Sequence, residues 1–268
     1  MKRLLICLAA GFTSICAKAQ TPKRHIIYGM YLQWGYNAET YTRSNIHFKM
    51  SNGDNFVLHH VRAHDKGDYD DIYKKPGEIS IPQYNYRIGF YLNHSLTKGI
   101  ELNFDHAKYV VTDGQKVHVT GTIAGQHVDG DSILNPETFL HFEHTDGANW
   151  LHINYFEQKP LIENRAKTRD LLTLIYKAGA GINIPRTDFT YHGDKLNNDF
   201  HIAGYNISVE GGLRFYMFRN FFLEATGKTG YVRYIDALAN TTTAKGNRAT
   251  HGIGYLEGIA TLGYQFRF

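Results

Sequence analysis

Apolar and polar residues alternate along most of this chain with a period of two, the signature of strands with one buried face. Residues 252–268 show it most completely. Leu256, Gly258, Ala260, Leu262, Tyr264, Phe266 and Phe268 fall on one face, and Tyr255, Glu257, Thr261, Gln265 and Arg267 on the other. The same period runs through Ile26 to Tyr36, Phe56 to Ala63, Tyr84 to Leu92, Ile100 to Phe104 and Val117 to Ile123. It returns at Phe139 to Glu143, Trp150 to Phe156, Leu172 to Ile182, Tyr205 to Phe215 and Phe221 to Ala225, with a weaker run at Asn45 to Met50. Asn52-Gly53 and Asp113-Gly114 supply residues that tolerate the positive φ of tight hairpin turns. The pattern predicts an all-β antiparallel chain of about 12 strands, within a range of about 10 to 14.

The connections predict an asymmetry. Turns at 51–54, 97–99 and 218–220 are short and fall on one side if the termini share it. Polar stretches at 65–82, 185–199 and 236–251 are long and fall on the other. Residues 125–137 and 158–167 read as longer loops on the short-turn side, and 144–149 as a short turn opposite. There is no internal repeat and no composition shift, so one domain is expected over residues 20–268. After residue 19 no stretch approaches about 18 consecutive apolar residues, which excludes helical membrane spans. A backbone that crosses lipid as strands must close on itself, because only closure pairs every N–H and C=O. The mean hydropathy of −0.38 agrees, since such strands show lipid only every second residue.

The beginning of the chain bears on location. Lys2 and Arg3 precede an apolar run from Leu4 to Ile15, and Ala17-Lys18-Ala19 offers a small-x-small cleavage site. Residues 1–19 read as a cleaved secretion signal. It carries away both cysteines, Cys7 and Cys16, so no disulfide framework or thiolate chemistry is expected afterwards. It also takes Lys2, Arg3 and Lys18, which lowers the formal charge from +4 to +1 and removes any electrostatic case for nucleic acid. Nineteen Tyr and sixteen Phe are enough for aromatic girdles at two interfaces. With the signal, the sustained alternation and the terminal Tyr264-x-Phe266-x-Phe268, the chain resembles the outer-membrane β-barrel proteins of Gram-negative bacteria. The resemblance implies a transmembrane barrel among outer-membrane lipid and lipopolysaccharide. It also implies a C-terminal strand presented to the barrel-assembly machinery.

In such a barrel the polar faces line the lumen, which places Arg87, Glu101, Asp105, His118, Lys177, Glu210, Arg214, Glu224, Lys228 and Glu257 inside. Both signs are present in similar number, as pairing requires. If 144–149 is a hairpin turn that sets Glu143 opposite Trp150, then His141 faces His152 and Glu143 shares their face. That trio could bind a divalent metal or serve as acid and base. The loop acids Asp65, Asp68, Asp70 and Asp71 lack the spacing of a calcium-binding loop. His118-x-Thr120 is loosely similar to the His-x-Ser pair of outer-membrane lipid A deacylases, but the nucleophile differs and nothing is carried over. The expected role is structural, surface-interacting or narrow solute passage, with no cofactor. The alternatives are a lipid-modifying or hydrolytic enzyme using His141, Glu143 and His152, and a soluble secreted barrel with its apolar face inward.

Overall fold

A computed structural model describes residues 26–67, 83–166 and 168–268. The proposed signal, the acids Asp68, Asp70 and Asp71, and most of the 65–82 loop lie outside the described residues. Among them are seventeen strands: β1 Gly29–Tyr41, β2 Ser44–Lys49, β3 Asn55–Val61, β4 Ala63–His64, β5 Tyr84–Tyr91, β6 Lys98–Asp105, β7 Tyr109–Val111, β8 Lys116–Ile123 and β9 Gln126–Ile133. They continue as β10 Leu140–His144, β11 Trp150–Glu163, β12 Asp170–Asn183, β13 Asp188–Tyr191, β14 Asp194–Asn197, β15 Gly204–Tyr216, β16 Phe221–Leu238 and β17 Arg248–Arg267.

Eight strands form a ring of antiparallel pairings, β1-β5-β6-β11-β12-β15-β16-β17, with β17 pairing back onto β1 from Gly29↔Arg267 to Tyr41↔Tyr255. Four more, β2, β3, β8 and β9, extend the same sheet to twelve strands but stand outside the ring. The expected barrel of about 12 strands is therefore corrected: the sheet has twelve strands, but only eight of them close into the ring. The reason is β2. The chain leaves β1 at Thr42, whose N–H donates to the Gly254 carbonyl at 2.9 Å, and returns along the upper end of β17, pairing from His251↔Ile46 to Arg248↔Lys49.

All long connections lie at that end. The turns at 92–97, 164–169 and 217–220 lie at the other, the end at which Gly29 pairs with Arg267. The 51–54 turn is a correction: it joins β2 to β3 and so belongs with the long connections. Three stretches read as loops carry strands, 125–137 holding β9, 158–167 holding the end of β11 and 185–199 holding β13 and β14. A second sheet, β14-β13-β10-β7-β4, covers the extension. Ile46, Phe48, Phe56, Leu58, Val117 and Val119 from the first sheet meet Leu140, Phe142, Phe189 and Tyr191 from the second, forming an apolar head. Phe48 lies between Phe142 and Phe189 with ring centroids 5.4 Å apart in each pair. His144, which donates to or accepts from Thr187 Oγ1 at 3.0 Å, is buried in this core, and burial pushes its pKa down to about 3.

The ring shows the opposite polarity. Its exposed side carries Leu32, Trp34, Ile88, Leu102, Ile153, Leu174, Ile207, Val209, Leu256 and Leu262. Its interior buries Arg87, Glu101, Asp105, Lys177, Glu210, Arg214, Glu224, Lys228 and Glu257. A soluble barrel with its apolar face inward would have the reverse.

At the short-turn end, inward-facing glycines make room for rings. A Cβ on Gly89 would sit 2.1 Å from the Tyr31 ring, and one on Gly263 2.2 Å from Phe222. Tyr31 cannot yield, because Tyr91 and Phe156 flank it at 5.5 Å. Gly89→Ala is therefore expected to lower stability by about 1–3 kcal/mol through overpacking. Outward-facing Gly227→Ala, with nothing within 4 Å of the added Cβ, should change it by less than about 0.5 kcal/mol. Urea unfolding of both variants in detergent checks the contrast.

Candidate functional site

The ring interior is the largest concentration of chemistry-bearing groups, and strand register explains how it assembles. Residues directly opposite each other share a face, so Lys177↔Glu210, Glu210↔Lys228 and Arg214↔Glu224 bring opposite charges together across β12, β15 and β16. Longer side chains complete the network across the ring. Arg87 Nη1 donates to Glu210 Oε1 at 2.6 Å. Lys177 Nζ donates to Glu101 at 2.8 Å and to Glu224 at 2.9 Å. Arg214 Nε donates to Glu224 at 2.7 Å, and its Nη1 to the Tyr91 hydroxyl at 2.8 Å. Lys228 Nζ donates to Asp105 Oδ2. Each of these four cations thus holds at least one carboxylate, the condition under which enclosed charge is tolerated.

Aromatic layers bound this network at both ends. Towards the short turns, the Arg214 guanidinium lies 4.0 Å from the Phe222 ring centroid and 4.5 Å from that of Tyr31. Towards the head, Trp150 packs on Tyr255 at 4.5 Å and donates its indole N–H to the Tyr234 hydroxyl at 3.0 Å. All three rings are buried.

Sequence-predicted residues divide in three ways. Arg87, Glu101, Asp105, Lys177, Glu210, Arg214, Glu224, Lys228 and Glu257 line the interior. His118 does not. It sits on the outer face of β8, where Val117 and Val119 take the head core, and its ring nitrogens lie 3.1 Å from Asp129 and 3.3 Å from Asp131. Tyr264, Phe266 and Phe268 stand on the outward face at the short-turn end, with Tyr264 accepting from Asn220 Nδ2 at 3.1 Å.

The expected trio of His141, Glu143 and His152 is not brought together. The 144–149 segment is not a hairpin turn between β10 and β11, because β10 pairs with β13 and β7 in the second sheet while β11 pairs with β6 and β12 in the ring. His152 is buried inside the ring, where its Nε2 accepts from Lys228 Nζ at 3.2 Å and its Nδ1 lies 3.4 Å from Ser208 Oγ. His141 and Glu143 are in the head. His141 Nδ1 lies 2.8 Å from Asp113 and Nε2 3.3 Å from Glu143. Both nitrogens face carboxylates, so the imidazole clamps the two together and neither nitrogen is open to a substrate. Among the described residues no group of three or more His, Cys, Asp or Glu side chains is placed to hold a metal ion.

Interior groups not anticipated from sequence include Tyr31, Gln33 and Glu39. Their signal was present in the polar half of the first strand, where Gln33, Asn37 and Glu39 alternate with the apolar residues.

No protein-family model and no curated protein matches the chain. Solved structures with some likeness include OprG from Pseudomonas aeruginosa, at 12% identity and a TM-score of 0.43 over 91% of this chain and 98% of that one. Neisserial surface protein A (NspA) is similar at 10% identity and 0.37, covering 89% of this chain and 97% of that one. The outer membrane protease OmpT from Escherichia coli is similar at 6% identity and 0.37, covering 93% and 99%. No residue correspondence follows at these values.

Two expectations follow from the geometry. Arg214→Ala leaves Glu224 enclosed without its closest partner and should cost about 3–5 kcal/mol in detergent unfolding, whereas Arg219→Ala in an exposed turn should change stability by less than about 0.5 kcal/mol. The His141 clamp carries a pH window. Burial opposes the imidazolium, but hydrogen bonds to Glu143 and Asp113 outweigh it and raise the His141 pKa. Burial likewise opposes the Glu143 carboxylate, yet His141 and Thr145 bring its pKa down to about 2. A raised His pKa gives stability that is full below about 6.5 and lost as pH climbs through the folded value; a lowered Glu pKa gives stability that is full above about 4.5 and lost towards 2. Comparing protein with and without His141→Gln should show their difference in melting temperature largest near pH 5.5 and shrinking on either side.

Proposed function

We propose that the ring is an eight-stranded transmembrane barrel in the outer membrane of a Gram-negative bacterium, whose closed lumen supports a surface-exposed head. The observation that carries this reading is the inverted polarity: an apolar exterior around an interior filled by paired charges. On β15 the outward apolar face runs from Tyr205 to Phe215 through Ile207, Val209 and Leu213. Ten steps of about 3.3 Å, tilted by about 40°, span roughly 25 Å, the height of the lipid-facing band of such barrels. A continuous exposed apolar surface of that extent is not stable in water.

Cleavage of residues 1–19 would deliver the chain to the periplasm, and the Tyr264-x-Phe266-x-Phe268 end would be read by the barrel-assembly machinery. Outer-membrane lipid, including lipopolysaccharide, would surround the belt. The long connections would then face outward and the short turns the periplasm.

The aromatic layers and the ion-pair network favour a sealed lumen and a role through the head over solute passage. The dispersal of His141, Glu143 and His152 removes the geometry on which the enzymatic alternative rested. Planar-bilayer recording tests the reading. Protein recovered from the outer-membrane fraction should show no steady conductance. Stable ion-conducting steps in the native protein would overturn the sealed lumen, and recovery in the soluble periplasmic fraction would overturn the membrane assignment.

A further inference from the structure

One row of interior side chains crosses five neighbouring strands, each residue directly opposite the next: Lys177, Glu210, Lys228, Glu257 and Glu39. The signs alternate along the row until its last step. There Glu257 and Glu39 face each other across the pairing of β17 with β1, which closes the ring. Like charges directly opposite are destabilising, and these two are buried, with exposures of 0% and 5%.

The four cations of the ring interior do not resolve this conflict. Each is engaged with another carboxylate: Lys177 with Glu101, Arg87 with Glu210, Arg214 with Glu224, and Lys228 with Asp105. Glu257 has only a distant approach from Lys228 at 3.7 Å. Glu39 accepts from the amides of Asn37, at 2.5 Å, and Gln83. Two carboxylates are thus left in surplus.

A second observation lies in the unmet hydrogen-bonding capacity around the pair. Both Glu257 oxygens, Gln83 Oε1 and Asn85 Oδ1 are buried without a hydrogen-bond partner among the described residues. All four are acceptors. They flank β1 on its two sides, Glu257 on β17 and Gln83 and Asn85 at the start of β5, where Gln83 Nε2 also holds Glu39 and Asn85 Nδ2 reaches Asn37 Oδ1 at 3.5 Å. Carboxylate and amide oxygens in excess of the donors that reach them are the ligand chemistry of a hard divalent cation, and adaptable amides suit calcium better than the rigid octahedron of magnesium.

We propose that Glu39 and Glu257 bind one divalent cation of the calcium type, with amide oxygens of Gln83 and Asn85 as further ligands. Its two charges match the two surplus carboxylates. By joining β1 to β17 it acts as a clasp across the pairing that closes the ring. The clasp is a property of the ring interior and stands apart from the question of whether the lumen conducts.

The test uses the full protein in detergent, stripped with EDTA. Terbium, a luminescent stand-in for calcium, should bind saturably with a dissociation constant of about 10⁻⁵–10⁻³ M and be displaced by calcium. Saturating calcium should raise the melting temperature by about 5–10 °C. Glu257→Gln should weaken terbium binding at least tenfold and abolish the calcium shift while keeping native, heat-modifiable migration. Glu39→Gln provides the same readout if Glu257→Gln fails to fold. No terbium or calcium response, with an infrared band of protonated carboxyl that disappears in either variant, would show that the pair holds protons instead and would overturn the cation site. Recovery of both variants in the outer-membrane fraction separates this failure from a failure of the membrane reading.

Discussion

The pairing of enclosed charge is the constraint on which this structure depends. A ring whose apolar face looks outward must hold its polar face inside, where an unpaired ion is penalised by several kcal/mol. The register solves this locally, by setting Lys177 opposite Glu210 and Arg214 opposite Glu224. It solves it across the ring through side chains long enough to meet, as Arg87 meets Glu210. Shifting any one strand by a residue would turn its charges outward and its apolar side chains inward. The network therefore specifies strand order and register at least as much as it adds stability. The one step at which register sets two carboxylates face to face lies at the closing pair of strands.

The head shows the same alternation put to another use. Strands β2, β3 and β8 bury Ile46, Phe48, Phe56, Leu58, Val117 and Val119 against a second sheet and leave His47, His59 and His118 towards solvent. In the ring the buried face is charged and the exposed face apolar; in the head the buried face is apolar. Both belong to one twelve-stranded sheet, joined where β17 exchanges β1 for β2. Trp150, Tyr234 and Tyr255 sit at this exchange, so a single aromatic layer serves as the floor of the head core and the ceiling of the charged interior.

Strands and their inward and outward faces were legible from sequence, because period two reports which side chains share a face whatever covers it. The same property hid the division between ring and head. Alternation at Phe56 to Ala63 and Val117 to Ile123 says that one face is buried, not whether lipid or another sheet buries it. Strand length carried little of the answer: β2 and β3 have 6 and 7 residues, short of the 9–11 that cross a bilayer, but the ring strands β5 and β6 have only 8. The His141–Glu143–His152 grouping failed for a related reason. A short polar segment between two alternating runs reads as a hairpin, yet 144–149 passes from one sheet to the other, and nothing local in Thr145-Asp146-Gly147 distinguishes the two courses. Glu39 was missed because its strand was read for its apolar side alone.

The orientation of the two faces of the ring is most directly tested at Ser208 and Val209, adjacent residues of β15 that point opposite ways. Each would be replaced by cysteine, labelled with a small fluorophore and reconstituted into vesicles containing brominated lipid. The label at Val209 should be strongly quenched and the label at Ser208 spared. Equal quenching at both positions, or quenching at Ser208 alone, would contradict an apolar exterior in contact with lipid.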